Sequence, residues 1–208
     1  DAKPFYLAAM EIEPESSAEI ALSWGLALLA ADRPAEAVEV LNDANARAET
    51  ATRSHLIDDL LATALALSGD AEGAVTVLRR ALRRRPDSAA LQSRLGWVLF
   101  HTGRTEEGEE AYRALVAKYD DDYPDAEIRE AIREAKLALA VAAVEQDRHP
   151  DAEEWLEQIL DEFPDDPDAL NDLAYLWADR KAHPERAERM ARRAVEAFPE
   201  EAAFRDTL

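Results

Sequence analysis

Two glycines set a period in this sequence. Gly69 and Gly103 lie 34 residues apart, and each ends an apolar segment and is followed by a polar turn and a second amphipathic segment. Ala74 and Gly108 repeat the interval. Such an interval is typical of repeat proteins, in which each unit is one supersecondary element that contacts only its neighbours. The chain is therefore expected to spread its apolar surface along an array of units instead of around one core.

Residue usage indicates that these units are helical. Alanine, leucine, glutamate and arginine dominate, only 6 of the 208 residues are glycine, and no alternating run of β-branched residues is present. Good helix formers in this proportion predict an all-α chain.

The helical segments carry a pattern of small, apolar and proline residues. Two adjacent units show it most clearly: Leu61, Ala62, Leu65, Gly69, Ala74, Leu78, Ala81 and Pro86, then Leu95, Gly96, Leu99, Gly103, Gly108 and Tyr112. The pattern resembles the tetratricopeptide family, whose unit of about 34 residues carries W-x2-L-G-x2-Y in its first helix, then A-x3-F and proline in and after its second. The resemblance implies a right-handed α-solenoid of stacked antiparallel helix pairs.

In this register the chain is a single array with five full repeats. They cover residues 18–51, 55–88, 89–122, 126–166 and 167–201. Residues 1–14 are predicted to be the second helix of a truncated repeat, and 202–208 the start of a truncated first helix, so we expect a longer natural protein. Small residues are predicted where paired helices cross closely: Gly25, Ala62, Gly96, Ala140 and Ala174. Three prolines are predicted to end second helices: Pro86, Pro164 and Pro199.

Three departures from the period are expected to alter the array locally. Thr52 to Ser54 are extra residues between repeats, and Lys181 to His183 lengthen the last turn by about one residue. The third departure is an acidic loop before a long helical pattern. That helix is predicted to begin at Asp125 as cap and to run to about Gln146.

The resemblance also implies where a partner would bind. In tetratricopeptide proteins the first helices line a concave groove, and here the groove is predicted to present Arg94, Trp97, Phe100, His101, Leu60, Thr63, Asn171, Asp172, Tyr175 and Asp179. The same register adds Leu22, Leu26, Leu29, Asp59, Leu67, Leu137 and Val141. Apolar stripes at helical spacing are usually core, so packing against the next unit is the favoured interpretation for any one of these leucines.

Three large side chains on one helix are the strongest candidates for partner contact. Trp97, Phe100 and His101 exceed what a helix needs for packing, and aromatic anchors contribute much of the binding energy where solvent is excluded. A purely structural role stays open. Family members that grip a terminal carboxylate use paired lysines and asparagines; Arg94 and Asn171 stand at such positions without a lysine, so that mode is not expected.

Charge and composition disfavour several classes of function. A formal charge of -21, from 45 acidic and 24 basic residues, argues against nucleic-acid partners. The chain has no cysteine, no histidine pair at ligand spacing, and no run long and apolar enough for membrane insertion. Nucleophile elbows and phosphate-binding glycine loops are absent too. We predict no enzyme, no cofactor and no metal.

The arginine run on one second helix has an ordinary interpretation. Arg79, Arg80, Arg83, Arg84 and Arg85 suit the end of a helix, where positive charge is favoured by the dipole. A solvated face, or pairing with acids of the adjacent unit, explains them better than an anionic ligand does.

The leading hypothesis is a scaffold that binds a basic or amphipathic protein or peptide in the groove. Two alternatives remain: a substrate-recruiting region of a larger enzyme, and a self-assembling module that forms a homo-oligomer through exposed terminal repeats. The segment 170–179 is similar to a first helix of bacterial tetratricopeptide proteins, some associated with the envelope. A bacterial origin is predicted, and a cytoplasmic and an envelope location both stay open.

Overall fold

The computed structural model describes residues 5, 6, 8, 9, 16–47, 55–119, 125–199 and 202. Every regular element in these residues is helical, and ten α-helices have defined bounds. In chain order they are α1 (Ser17–Ala30), α2 (Pro34–Arg47), α3 (His55–Leu67), α4 (Ala71–Arg84), α5 (Ala89–His101), α6 (Thr105–Lys118), α7 (Ala126–Glu145), α8 (His149–Glu162), α9 (Pro167–Asp179) and α10 (Pro184–Ala197). The predicted all-α fold is confirmed.

The chain divides into two compact units, residues 1–111 and 112–208. In the first unit α1 pairs with α2, and α3 pairs with α4. The first helices of the pairs contact one another in series, α1 with α3 and α3 with α5. Leucines that are fully buried join these helices into one core, including Leu41, Leu61, Leu78 and Leu91. The first unit is therefore built from stacked helix pairs, as predicted.

The second unit has the same plan with a different core. Here α7 pairs with α8 and α9 pairs with α10, and α9 also contacts α8. The core is rich in alanine, and its largest fully buried side chain is Trp177. The Trp177 indole N–H donates a hydrogen bond of 2.8 Å to Glu153 on α8, so the buried ring has its polar atom satisfied.

Close helix crossings explain the small residues. A Cβ added at Gly25 would lie 3.0 Å from Leu41 and 3.1 Å from Leu60, which belong to the next two helices. A Cβ at Gly108 of α6 would lie 3.1 Å from the backbone nitrogen of Phe100 and 3.2 Å from the carbonyl oxygen of Gly96 on α5. The positions Ala62, Ala140 and Ala174 are buried as well. Small residues thus stand where larger ones would collide.

The five hairpin turns among the described residues close in the same way. At the equivalent position of each turn, the residue has the left-handed backbone that favours glycine: Asp32, Gly69, Gly103, Asp147 and Lys181, with φ between 54° and 91°. The next amide in each turn donates to the carbonyl five residues back, for example Arg33 to Leu28 at 2.9 Å and Asp70 to Leu65 at 2.8 Å. This is the Schellman arrangement, which satisfies carbonyls at the end of a helix.

The last of these turns is longer than the others. The second helix begins two residues after Gly69 or Asp147, but α10 begins at Pro184, three residues after Lys181. The additional residue is accommodated by His183, whose φ of 46° is also left-handed. The predicted lengthening of this turn by one residue is confirmed.

Prolines end three second helices, as predicted. The residues before Pro86, Pro164 and Pro199 share one backbone conformation, with φ between -136° and -123° and ψ between 72° and 77°. A residue that precedes proline is excluded from the helical region by the proline ring, so each helix ends there. The prediction for α7 also holds: the Asp125 side chain caps it, and Gln146 follows its last residue.

Parts of the predicted array lie outside the described residues. These include most of the segment 1–14, the extra residues Thr52 to Ser54, residues 120–124 of the acidic loop, and all but one residue of 202–208. The repeat boundaries remain predictions.

Candidate functional site

The predicted groove residues of the first unit separate into two groups. Leu60 is 8% exposed and packs in the core near Gly25, so this side chain is not open to a partner. Thr63 is half-buried, and its hydroxyl donates to the carbonyl of Asp59 at 3.0 Å. Leu60 therefore packs in the helix stack, whereas Thr63 keeps a partly exposed side chain whose hydroxyl is bonded within its own helix.

A column of stacked side chains forms the second group. The Arg94 guanidinium lies 5.3 Å from the centre of the Trp97 ring, and the ring centres of Trp97 and His101 are 4.1 Å apart. Asp59 on α3 holds Arg94 through contacts of 2.7 and 3.4 Å. Spacings of three and four residues put these side chains on one face of α5. The structure thus brings together three of the four predicted α5 residues.

Phe100 does not belong to this column. Its ring lies 3.3 Å from the position that a Cβ on Gly108 would occupy, so it faces the α5–α6 crossing. The interpretation of Trp97, Phe100 and His101 as three side chains on one open face is therefore corrected for Phe100. Phe100 is adjacent to His101 and therefore projects about 100° away from it around the helix, and Gly108 leaves a space that the Phe100 ring fills.

In the second unit a pocket of about 210 Å³ opens between α7, α8 and α9. We call it the α7–α9 pocket. Its lining residues are Ala140, Val141, Val144 and Glu145 of α7, His149 and Leu156 of α8, and Asp172, Tyr175, Leu176 and Asp179 of α9. Asp172, Tyr175 and Asp179 are predicted groove residues, and the wider register includes Val141. Asn171, by contrast, is buried and lies outside the lining.

The pocket has a buried apolar floor and an exposed apolar wall. Ala140, Leu156 and Leu176 are at most 4% exposed, whereas Tyr175 is 60% and Val141 44% exposed. On α9 the residues at 172, 175, 176 and 179 follow the spacing that keeps side chains on one helix face. The floor is fixed by the hairpin core, and the wall remains available for contact.

Three carboxylates, those of Glu145, Asp172 and Asp179, are among the lining groups. Asp172 accepts a hydrogen bond of 3.3 Å from the Asn171 side-chain amide. Burial raises the pKa of Asp172, the bond from Asn171 acts in the opposite direction, and repulsion from Asp168 and Asp166 adds to the rise. The pocket therefore combines an apolar surface with carboxylates, and at Asp172 burial and nearby carboxylates disfavour the charged form.

One nitrogen in the lining is buried without a partner. The Nδ1 atom of His149 has no hydrogen bond within the described residues, and its Nε2 atom lies 3.8 Å from Asp147. The side-chain oxygen of Asn171 is likewise buried and unbonded there. Such atoms are uncommon in folded proteins, and these two belong to the neighbouring helices α8 and α9.

Sequence reasoning missed part of this pocket. Val144 and Glu145 occupy the same register positions in their repeat as Phe100 and His101 do 44 residues earlier, so the register contained the signal. His149 and Leu156 come from a second helix, and nothing in the repeat pattern marks a second-helix residue as part of a groove.

Within the described residues, no group of three or more histidine, aspartate or glutamate side chains is placed to hold a metal ion. No helix in that part of the chain combines the length and apolar character needed to cross a membrane.

Comparisons with known proteins agree with this architecture. Family models described as tetratricopeptide repeat match residues 60–127 and 133–176, which together are more than half of the chain. No curated protein shows significant sequence similarity to the chain.

Solved structures resemble the chain in fold. MamA from Desulfovibrio magneticus RS-1 is 19% identical, with 89% of this chain and 97% of that chain covered and a TM-score of 0.60. YrrB, described as a TPR protein with an unusual peptide-binding site, is 16% identical over 97% and 96% of the two chains, with a TM-score of 0.54. PilF from Pseudomonas aeruginosa is 17% identical over 93% and 89%, with a TM-score of 0.66.

The matched repeat models, the recurring helix pairs and these neighbours lead to one conclusion. The chain belongs to the tetratricopeptide repeat family.

Proposed function

We propose that this chain is a scaffold that binds a peptide segment of a partner protein, with the α7–α9 pocket as an anchor point. Tetratricopeptide proteins are typically interaction scaffolds without catalytic activity, and the family assignment supports that general role. The observation that carries the finer proposal is the pocket itself, where three predicted groove residues meet a buried apolar floor.

The size of the pocket favours a single side chain as its occupant. Sites for small molecules and cofactors usually have volumes of about 300–1,000 Å³. The α7–α9 pocket, at about 210 Å³, is smaller and suits one large apolar side chain. Full burial of such a side chain contributes about 1.5–3 kcal/mol. The pocket can therefore anchor a segment whose other contacts are weak.

The exposed wall supports the same proposal. Val141, Val144 and Tyr175 are large apolar or aromatic residues that are 40% or more exposed and adjoin one another. Scattered exposed apolar residues need no explanation, but a cluster beside a pocket is typical of interaction sites. YrrB, a neighbour in fold, is described as having a peptide-binding site, which is consistent with the same use of this fold here.

The test is selection of peptides on the full chain. Random 12-residue peptides displayed on phage are selected against the immobilised protein, and enriched peptides are synthesised for binding measurements by fluorescence anisotropy. The variant Val141→Ser with Val144→Ser should weaken the enriched peptides about ten-fold, equivalent to about 1.4 kcal/mol. Leu56→Ser makes a similar change, from an apolar side chain to serine, at an exposed leucine outside the pocket and outside the predicted groove, and it should leave their affinity unchanged.

Two results would count against the proposal. One is the absence of any enriched peptide. The other is enriched peptides that bind the Val141 and Val144 variant as tightly as the unchanged protein. Light scattering on the protein alone accompanies the selection, because a mass that rises with concentration would favour self-assembly as the use of this surface.

A further inference from the structure

The charged groups of the α7–α9 pocket are all of one sign. Its ten lining residues include three carboxylates and neither lysine nor arginine. No lysine or arginine among the described residues forms an ion pair with Glu145, Asp172 or Asp179. Within the part of the chain that the structure describes, the negative charge of the pocket is therefore not balanced by a paired lysine or arginine.

Three carboxylates elsewhere in the second unit have an arginine partner. Glu162 pairs with Arg129 at 2.9 Å, Asp166 with Arg133 at 3.0 Å, and Asp165 with Arg193 at 2.6 Å. These pairs show that the unit supplies an arginine partner to several of its acidic side chains. The carboxylates of the pocket carry comparable charge without such a partner.

The cost of this charge is highest at Asp172. This residue of α9 is partly buried, which raises its pKa, and repulsion from Asp168 and Asp166 raises the pKa further. A carboxylate that lacks a cation in the free protein gains most from one supplied by a ligand, since the desolvation cost has already been met in the free state.

Two of the carboxylates are separated along the axis of α9. Asp172 and Asp179 are seven residues apart on α9, which places them about 10 Å apart on one face of the helix. Tyr175 and Leu176 lie between them along α9, and both line the pocket. An apolar centre with negative charge at each end is complementary to an apolar side chain with positive charge at each end.

We infer that the α7–α9 pocket selects a basic peptide segment in which one large apolar side chain enters the pocket and a lysine or arginine on each side of it pairs with Asp172 and Asp179. This inference rests on the proposed function and specifies its partner. The formal charge of -21 on the whole chain would add long-range attraction for such a segment.

The phage selection described above provides the first readout. Enriched peptides should contain lysine or arginine on both sides of a Leu, Met, Phe or Trp, and their binding should weaken as NaCl rises from about 50 to 300 mM. Enrichment of apolar peptides without these cations would overturn the inference and leave the proposed function intact. A selection that enriches no peptide would overturn both.

Variants provide the second readout. Asp172→Asn with Asp179→Asn should weaken a synthesised enriched peptide about ten-fold. The control, Glu154→Gln with Asp161→Asn, removes the same charge from exposed positions on α8 that do not line the pocket. It should change affinity less than about two-fold. Equal loss in both pairs would overturn the inference, since general charge and not this pocket would then govern binding.

A third readout separates the flanking charges from the anchor. In one enriched peptide both flanking cations are replaced with glutamine, and in another the central apolar residue is replaced with serine. Both peptide changes should lower affinity for the unchanged protein. For the Asp172→Asn, Asp179→Asn variant, replacement of the cations should lower the affinity little further, because their partners are already gone. Replacement of the apolar residue should still lower it. Independent effects of the cations and of the two carboxylates would contradict the assigned pairing.

Discussion

The carboxylate of Asp58 on α3 lies 2.5 Å from the guanidinium of Arg84 in the last turn of α4, and only 2% of the Asp58 side chain is exposed. Arg84 is one of the five arginines that were expected to be solvated or to pair with the adjacent unit. It pairs instead within its own hairpin, while Arg79, Arg80 and Arg83 are exposed. One member of the run thus has a specific structural role.

Removal of Arg84 is expected to destabilise the chain markedly. Arg84→Met would leave the buried carboxylate of Asp58 without its cation, and breaking such a pair costs about 3 kcal/mol where it is well buried. Because the Arg84 side chain is 28% exposed, we expect about 1–2 kcal/mol. Arg83→Met is the matched control and should change the free energy of unfolding by less than about 0.5 kcal/mol. Urea denaturation of both variants measures the difference, and equal effects would contradict the prediction.

Asp172→Asn should stabilise the protein at neutral pH. The pKa of Asp172 is raised in the folded state, so the folded state binds this proton more tightly than the unfolded chain does. The contribution of Asp172 to the free energy of unfolding is fully present at pH values below its pKa in the unfolded chain, about 3.9. This contribution is lost as the pH rises through the pKa of Asp172 in the folded state. At neutral pH the charged group therefore lowers the free energy of unfolding, and the asparagine removes that effect.

The control for Asp172→Asn is Asp179→Asn, which removes one negative charge from an exposed position of the same helix. Thermal unfolding at pH 7 should show a larger increase in Tm for Asp172→Asn. At pH values below the unfolded pKa the difference between the two variants should disappear. A lower Tm for Asp172→Asn at pH 7 would contradict the assigned cause of the raised pKa.

Gly108→Ala should disturb the crossing of α5 and α6. The added Cβ would lie 3.1 and 3.2 Å from backbone atoms of α5, which cannot rotate away as a side chain could. Overpacking of this kind costs about 1–3 kcal/mol, and the gain in helix propensity of about 1 kcal/mol offsets only part of it. Chemical denaturation should show a net loss of stability; a variant as stable as the unchanged protein would indicate that the helices separate at little cost.

Lys181→Gly should stabilise the last hairpin. Lys181 has a φ of 54°, a left-handed conformation that costs a residue with a Cβ about 1–2 kcal/mol. Glycine removes that strain but loses about 0.5–1 kcal/mol through chain entropy, so a net gain of up to about 1 kcal/mol is expected. The neighbouring Arg180 has a φ of -84°, and Arg180→Gly should instead lower stability in the same urea titration.

Local features of this fold were accessible from the sequence because local rules set them. Prolines after second helices, Asp125 as a cap and the glycine turns each depend on a few adjacent residues. The left-handed residues Asp32, Asp147 and Lys181 could not be recognised from the sequence, because glycine is the residue type that most strongly predicts this conformation. Repeat register also put Asp172, Tyr175 and Asp179 in one groove, and they line one pocket in the structure, while their contact with a partner stays a prediction.

Features that depend on the distance between helices could not be predicted in this way. The α7–α9 pocket exists because these helices leave a gap above Ala140 and Leu156, and no spacing in the sequence encodes the width of that gap. The side to which Phe100 turns depends on Gly108 in another helix. The pairing of Asp58 with Arg84 likewise requires the angle between two helices to be known.

The hairpin turns have a practical consequence for protein engineering. Glycine, aspartate and lysine all adopt a left-handed backbone at equivalent turn positions, and the same hydrogen bond follows each of them, so the turn tolerates different side chains. Helix pairs could therefore be exchanged between proteins at these turns. The length of a first helix could also be changed without redesign of the turn, as the 20 residues of α7 illustrate.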